Sequence, residues 1–147
     1  AKCALKAALE TNMPVWVSWT LHGDVRNTLP SGETVNQAFT ELNGLEPDAY
    51  LVNCCAANLV TPSIKALKEL TDIPIGGYAN AENVALDTEN SNLKFAAERH
   101  WNSAIEINEK AYLEEARLWI KEGASIIGGC CRTTPSYIKE LSANLKS

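Results

Sequence analysis

The sequence is poor in histidine, methionine and phenylalanine. His22, His100, Met13, Phe39 and Phe95 are the whole complement of those three types in 147 residues. No His-Glu-x-x-His, no Gly-x-Gly-x-x-Gly and no P-loop is present, so a zincin helix, a dinucleotide fingerprint and a Walker phosphate cradle are excluded. Both histidines lie in polar surroundings and read as solvated loop residues, and no Ser-His-Asp arrangement can be built on them. Basic residues are outnumbered, 13 Lys and Arg against 18 Asp and Glu, for a net charge of -5. Without a basic patch, neither nucleic acid nor an anionic membrane surface is an expected partner. No apolar run approaches the roughly 20 residues that cross a bilayer. The opening Ala1-Lys2-Cys3-Ala4-Leu5 has neither an initiator Met nor a signal-like apolar run. It reads as a chain entered in the middle of a helix, and hence as part of a longer protein.

What is present is ordinary globular material: 46% hydrophobic, 21% charged, with no composition break or linker. Residues 1–147 therefore read as one domain. Five cysteines stand out: Cys3, Cys54, Cys55, Cys130 and Cys131. An odd number, arranged as two adjacent pairs and a single, does not suit a disulfide framework. A ring closed across one peptide bond is also strained. Reduced thiols in a cytoplasmic protein are the better reading.

Apolar periodicity divides the chain into four similar units, each a short apolar run followed by a helical pattern. A helix over Lys2–Glu10 precedes them. The runs are Val15–Thr20, Ala49–Asn53, Pro74–Tyr78 and Ala124–Gly128. Thr34 and Gln37 form a capping-box pair that opens a helix running to about Asn43. Thr61-Pro62 and Thr134-Pro135 each supply an N-cap threonine and a proline at the first helical position. Ile64, Leu67 and Leu70 mark the buried side of the first of these helices, and Ile138, Leu141 and Leu145 that of the second. Tyr112, Ala116, Trp119 and Ile120 share the buried face of another helix, which Gly123 ends. Ala79–Asn108, polar and rich in Asn and Glu, reads as a long loop with some helix around Leu93–His100. Four alternations of strand and helix imply an α/β fold with parallel strands. Either a small doubly wound sheet or half of a (β/α)8 TIM barrel fits, and the mid-helix start favours the second half of a barrel.

Cys54-Cys55 and Cys130-Cys131 occupy equivalent places, after the carboxyl end of a strand and before a Thr-Pro helix start. Strand ends of a parallel α/β fold share one face, where functional sites gather. Gly128 and Gly129 are expected to let the backbone turn sharply there. Soft thiolates that meet at one point select zinc before magnesium or calcium. Three sulfurs with an open fourth position describe a catalytic zinc, whereas a fourth ligand would close it. The plainer alternative is buried thiols that merely pack.

Gly128-Gly129-Cys130-Cys131-Arg132-Thr133-Thr134-Pro135, with Asn53-Cys54 upstream, resembles the zinc signature of the homocysteine S-methyltransferase family. Pro14–Ser18 with Ser31-Gly32-Glu33 resembles the family's fifth strand and following loop. Pro74–Tyr78 followed by Asn80 resembles its seventh. The resemblance runs from about Pro14 to Leu141 and implies a TIM barrel of which strands five to eight are present. It implies Cys54, Cys130 and Cys131 as ligands to Zn2+, with Cys55 a bystander, Cys3 structural and Asn53 holding the loop. It also implies methyl transfer from a sulfonium donor, S-methylmethionine or S-adenosylmethionine, to the thiol of homocysteine, as in methionine biosynthesis. Arg132 favours that donor branch over betaine-dependent or cobalamin- or folate-linked relatives.

Asn53 and Tyr78 are the candidate substrate contacts; Tyr78 and Trp19 either offer aromatic faces to a sulfonium or, the plainer alternative, pack in the core or at its rim. Tyr78-Ala79-Asn80 departs from the family's common Tyr-Pro-Asn. The first four strands, which in the family supply much of the pocket, are missing from the resemblance. That leaves an unclosed sheet edge for self-association or for pairing with an N-terminal half. A non-catalytic, zinc-binding half-barrel is the competing reading.

Overall fold

A computed structural model describes residues 1–22, 27–84 and 104–145. The helix expected around Leu93–His100 lies outside the described residues. In chain order the described elements are α1 (Lys2–Leu9), β1 (Trp16–Thr20), α2 (Val35–Thr40), β2 (Ala49–Ala56), a 3₁₀ turn (Ala57–Leu59), α3 (Val60–Lys68) and β3 (Ile75–Asn80). They are followed by β4 (Glu82–Val84), β5 (Ala104–Glu106), α4 (Glu109–Lys121), β6 (Ile126–Gly129) and α5 (Pro135–Asn144).

Four of the strands form one parallel sheet in the order β1-β2-β3-β6. That order decides between the two closures left open by the sequence. A doubly wound sheet reverses its strand order at a switch point, whereas a barrel adds each new strand on the same side. Here each strand is added on the same side, giving four β/α units of the barrel type.

Register assigns the two faces. Ser18, Leu51, Gly76 and Ile126 are partners across the sheet, as are Thr20, Asn53, Tyr78 and Gly128 one layer higher. These side chains share the inner face, the one that points at the axis of a barrel. Trp19, Val52, Gly77 and Ile127 form the alternate layer, on the face packed by helices. A Cβ on Gly77 would lie 2.6 Å from Val60 Cγ1, so the glycine lets α3 sit directly on β3. Val52, Val60, Ile64, Leu67, Tyr112, Ala116 and Trp119 are fully buried in this outer layer. Each large apolar side chain there contributes about 1.5–3 kcal/mol of transfer free energy.

Local signals explain most boundaries. Thr34 Oγ1 accepts from the Gln37 N–H at 3.2 Å, and Gln37 Oε1 accepts from the Thr34 N–H at 2.9 Å, which closes the capping box on α2. Asn108 Oδ1 caps α4 through the Ala111 N–H at 3.0 Å. Gly123, at φ +110°, ends that helix region.

Four expectations are corrected. Thr61 is not an N-cap: β2 runs on through Cys54–Ala56, and the 3₁₀ turn carries the chain into α3 with Leu59 at the cap. Ile120 and Ile138 face outward, at 41% and 47% exposure, while Leu113 and Tyr137 take the buried positions. His22 is buried, not solvated. Part of the polar stretch after Ala79 is ordered sheet, since β3 extends to Asn80 and β4 pairs antiparallel with β5.

Candidate metal centre

Cys54 and Cys130-Cys131 come from β2 and from the end of β6, with β3 between them. At Cys54 strand geometry breaks. The residue has φ +52°, and the β2–β3 register shifts between Asn53 and Ala56. A non-glycine residue in the left-handed region costs about 1–3 kcal/mol and persists only where its surroundings hold it. The break re-aims a side chain that simple alternation would send to the Val52 face. Arg132, at φ +64°, is the matching left-handed residue after Cys131. The sharp turns thus fall at Cys54 and Arg132, not at Gly128 and Gly129 as expected. Those two glycines provide close approach instead: a Cβ on Gly129 would lie 2.5 Å from Thr133 Oγ1, and one on Gly128 3.1 Å from Tyr78 Cβ.

The outcome is one sulfur cluster. Cys54 Sγ lies 3.8 Å from Cys131 Sγ, and Cys131 Sγ 3.9 Å from Cys130 Sγ. All three sulfurs are within 4.8 Å of one another. Zinc–sulfur bonds of about 2.3 Å in tetrahedral geometry require sulfurs about 3.8 Å apart, so this donor set fits zinc with little rearrangement. Burial, followed by the neighbouring Cys130, pushes the Cys54 thiol up to about 12. A cation would reverse that preference by stabilising thiolate. Cys55 is fully buried, with its thiol also pushed up, chiefly by desolvation, and it stands outside the cluster. Cys3 is exposed on α1 and is not part of the cluster, so the structural role expected of it has no burial to support it.

Backbone and side chains lock the Cys130–Cys131 turn. The Cys130 N–H donates to Ala79 O at 2.7 Å, and the Ala81 N–H donates to Cys131 O at 3.0 Å. Thr133 Oγ1 donates to Cys130 O at 2.6 Å. The Cys131 N–H donates to Asn80 Oδ1 at 3.2 Å. Asn80 Nδ2 donates to Glu82 Oε1 at 3.0 Å, and Glu82 Oε2 lies 3.2 Å from the Arg132 guanidinium. Beneath them the Tyr112 hydroxyl donates to Gly128 O at 2.8 Å and receives the Ala79 N–H at 3.1 Å, tying β3 to β6.

The remaining candidates separate. Asn53 Oδ1 accepts from Ser18 Oγ at 2.8 Å, on the inner face one residue before Cys54. Tyr78, with Trp16, Ser18, Leu51 and Ile126, lines a cavity of about 440 Å³ on that face. Trp19 does not: it is buried in the outer layer, stacked on Tyr50 with ring centroids 5.6 Å apart. The inner and outer faces alternate along β1, which excludes Trp19 as a ligand contact. Asn80, Glu82 and Tyr112 escaped sequence reasoning as parts of the site. The Asn after the third strand was the one visible signal, and Glu82 had none.

The chain matches, over residues 1–145, the family described as Homocysteine S-methyltransferase. It belongs to the homocysteine S-methyltransferase family. Homocysteine S-methyltransferase 1 of Zea mays is 30% identical over 138 residues, covering 93% of this chain and 39% of that protein. Homocysteine S-methyltransferase YbgG of Bacillus subtilis (strain 168) is 34% identical over 96 residues, covering 65% of this chain and 27% of that protein. In fold, the chain is similar to the crystal structure of the metallated form of the homocysteine methyltransferase MmuM from Escherichia coli. The TM-score is 0.68 at 24% identity, covering 97% of this chain and 40% of that one. The chain thus spans well under half the length of the homocysteine S-methyltransferases it matches. No helix among the described residues is long and apolar enough to cross a membrane.

Proposed function

We propose that Cys54, Cys130 and Cys131 hold a zinc ion and that this half-barrel is the metal-bearing part of a methyltransferase. The reaction moves a methyl group from a sulfonium donor, S-methylmethionine or S-adenosylmethionine, to the thiol of homocysteine. The observation that carries the reading is the convergence of three sulfurs from two distant strand ends, at the face where α/β barrels keep their sites.

Zinc bound here would draw the proton from a substrate thiol and leave a position open for its sulfur. The chain's own residues set the geometry. The left-handed turns at Cys54 and Arg132 aim the sulfurs, and Ser18 orients Asn53 beside them. Tyr78 lines the cavity below and offers its ring to a sulfonium. In the transfer, the acceptor thiolate forms a bond to the methyl carbon while the donor's carbon–sulfur bond breaks. The donor leaves as a neutral thioether, and the thiol proton passes to solvent. Five free cysteines suit a reducing, cytoplasmic compartment.

The test is metal stoichiometry combined with methyl transfer in the full barrel. One zinc per chain, lost in a Cys130→Ser variant together with methionine formation, supports the reading. A zinc-free chain whose cysteines form a disulfide would sink it.

A further inference from the structure

We propose that Glu82 is a positioning residue for the sulfur cluster, acting through Asn80 and Arg132 on the turn that carries Cys131. The inference rests on the reading of Cys54, Cys130 and Cys131 as a metal centre.

Glu82 and Asn80 are 6% and 3% exposed, so a carboxylate and an amide are withdrawn from water directly behind the cluster. A buried carboxylate is costly unless each oxygen meets a partner. Oε1 has one in Asn80, whereas Oε2 has no hydrogen-bond partner among the described residues and is balanced by the charge of Arg132 alone; the two groups flank one ligand. Oε1 accepts from Asn80 Nδ2, which leaves Asn80 Oδ1 facing the Cys131 N–H. An amide can present either end, and the wrong end here would set a donor against a donor. By accepting from Nδ2, Glu82 selects the orientation that grips Cys131. Oε2 meets the guanidinium of Arg132, the next residue in the chain and one held left-handed at φ +64°. One side chain on β4 therefore pins the residue after Cys131 and, through Asn80, the backbone of Cys131 itself. Adjacent side chains of an extended strand point to opposite faces, so two neighbouring cysteines meet one centre only if the turn after them is held.

The full chain is tested by zinc competition against a chromophoric chelator and, without zinc, by capture with phenylarsine oxide, which needs two sulfurs in close register. Glu82→Ala is expected to weaken zinc binding about 10–100-fold, the range typical of groups that orient metal ligands, and to weaken arsenical capture in step. Glu82→Gln, which can still accept from Asn80 but loses the ion pair, should fall between. Glu115→Gln is the control, since Glu115 bonds Asn83 on the same strand β4 at 3.0 Å without reaching the cysteines. It should leave zinc affinity and capture unchanged. If Glu82→Ala does not fold, Glu82→Gln and Arg132→Met carry the same comparison. Zinc affinity and arsenical capture both within twofold of wild type in the Glu82 variants would overturn the proposal. A wild-type chain that captures the arsenical but takes up no zinc would refute the metal reading, while the arsenical arm would still decide the role of Glu82.

Discussion

Cys54 Sγ and Cys131 Sγ sit 3.8 Å apart although 77 residues of chain separate them. The contact exists because β2 and β6 flank β3 in a parallel sheet, so their carboxyl ends open on the same side. The bystander Cys55 is next to Cys54 in sequence, yet it packs inward with the core. Ser substitution at Cys54, Cys130 or Cys131 should therefore abolish tight zinc binding. Cys55→Ser should leave it within a few-fold of wild type. Equal metal loss in Cys55→Ser and Cys130→Ser would show that the ligand set is wrong.

That distinction shows which parts of the molecule were legible in the sequence. The four strands and the capping box at Thr34 follow from periodicity and local motif, because each is governed by near neighbours, whereas the choice of Cys54, Cys130 and Cys131 rests on the family resemblance. The side on which Trp19 lies was only partly legible. Val17 shares its face and polar Ser18 and Thr20 share the other, but the apolar Trp16 beside them blurs that alternation. The burial of Glu82 was hidden for a different reason. Its partners Arg132 and Asn80 come together only when β3 and β6 pair. The start of α3 was misplaced because a register shift at Cys54–Ala56 moves the helix entry, and such shifts leave no compositional mark.

Zinc uptake should strengthen as pH rises. Burial and the neighbouring Cys130 hold the metal-free Cys54 thiol up at about 12, so at neutral pH the metal must displace protons to bind. Each proton released adds up to about tenfold in affinity per pH unit. Competition titrations at two pH values near neutrality, together with proton release in weak buffer, measure this. An affinity independent of pH would contradict it.

Gly129→Ala should disturb the cluster without touching a sulfur. The added methyl would lie 2.5 Å from Thr133 Oγ1, whose hydroxyl is committed to Cys130 O. Overpacking of this kind costs about 1–3 kcal/mol, and here it would also displace the Cys130 carbonyl. Gly44→Ala is the contrast, with open space around the new methyl and a strained φ of +81°. Both variants should lose stability in urea, but only Gly129→Ala should lose zinc affinity. Parallel losses of affinity would refute a local effect.

Tyr112 gives the fold an alkaline limit. Desolvation raises its phenol above the ordinary value of 10.0, because its hydroxyl is buried between Ala79 and Gly128. An acid whose folded pKa is raised keeps its proton longer in the native state than in the unfolded one. Its contribution is therefore fully present below about pH 10 and is lost as pH climbs beyond it. Tyr112→Phe should cost about 1–3 kcal/mol near neutrality, by leaving backbone groups of β3 and β6 unpaired. It should also flatten the fall in urea midpoint above about pH 10. A variant as alkali-sensitive as wild type would show that other groups set the limit.

The 147-residue chain, assayed alone, should bind zinc and still turn over homocysteine poorly. Its inner face carries Trp16 at 57% exposure, and Tyr78 lines an open cavity there. A donor and an acceptor held on one side only would lack the positioning that accounts for a large share of rate acceleration. The two sheet edges, β1 and β6, are unpaired among the described residues and suit strands that would complete a barrel. Co-expression with the amino-terminal strands of a full-length relative should raise methionine formation by orders of magnitude over the chain alone, with zinc content unchanged. Monomeric turnover already equal to that of a full-length relative would refute the need for the other half of the pocket.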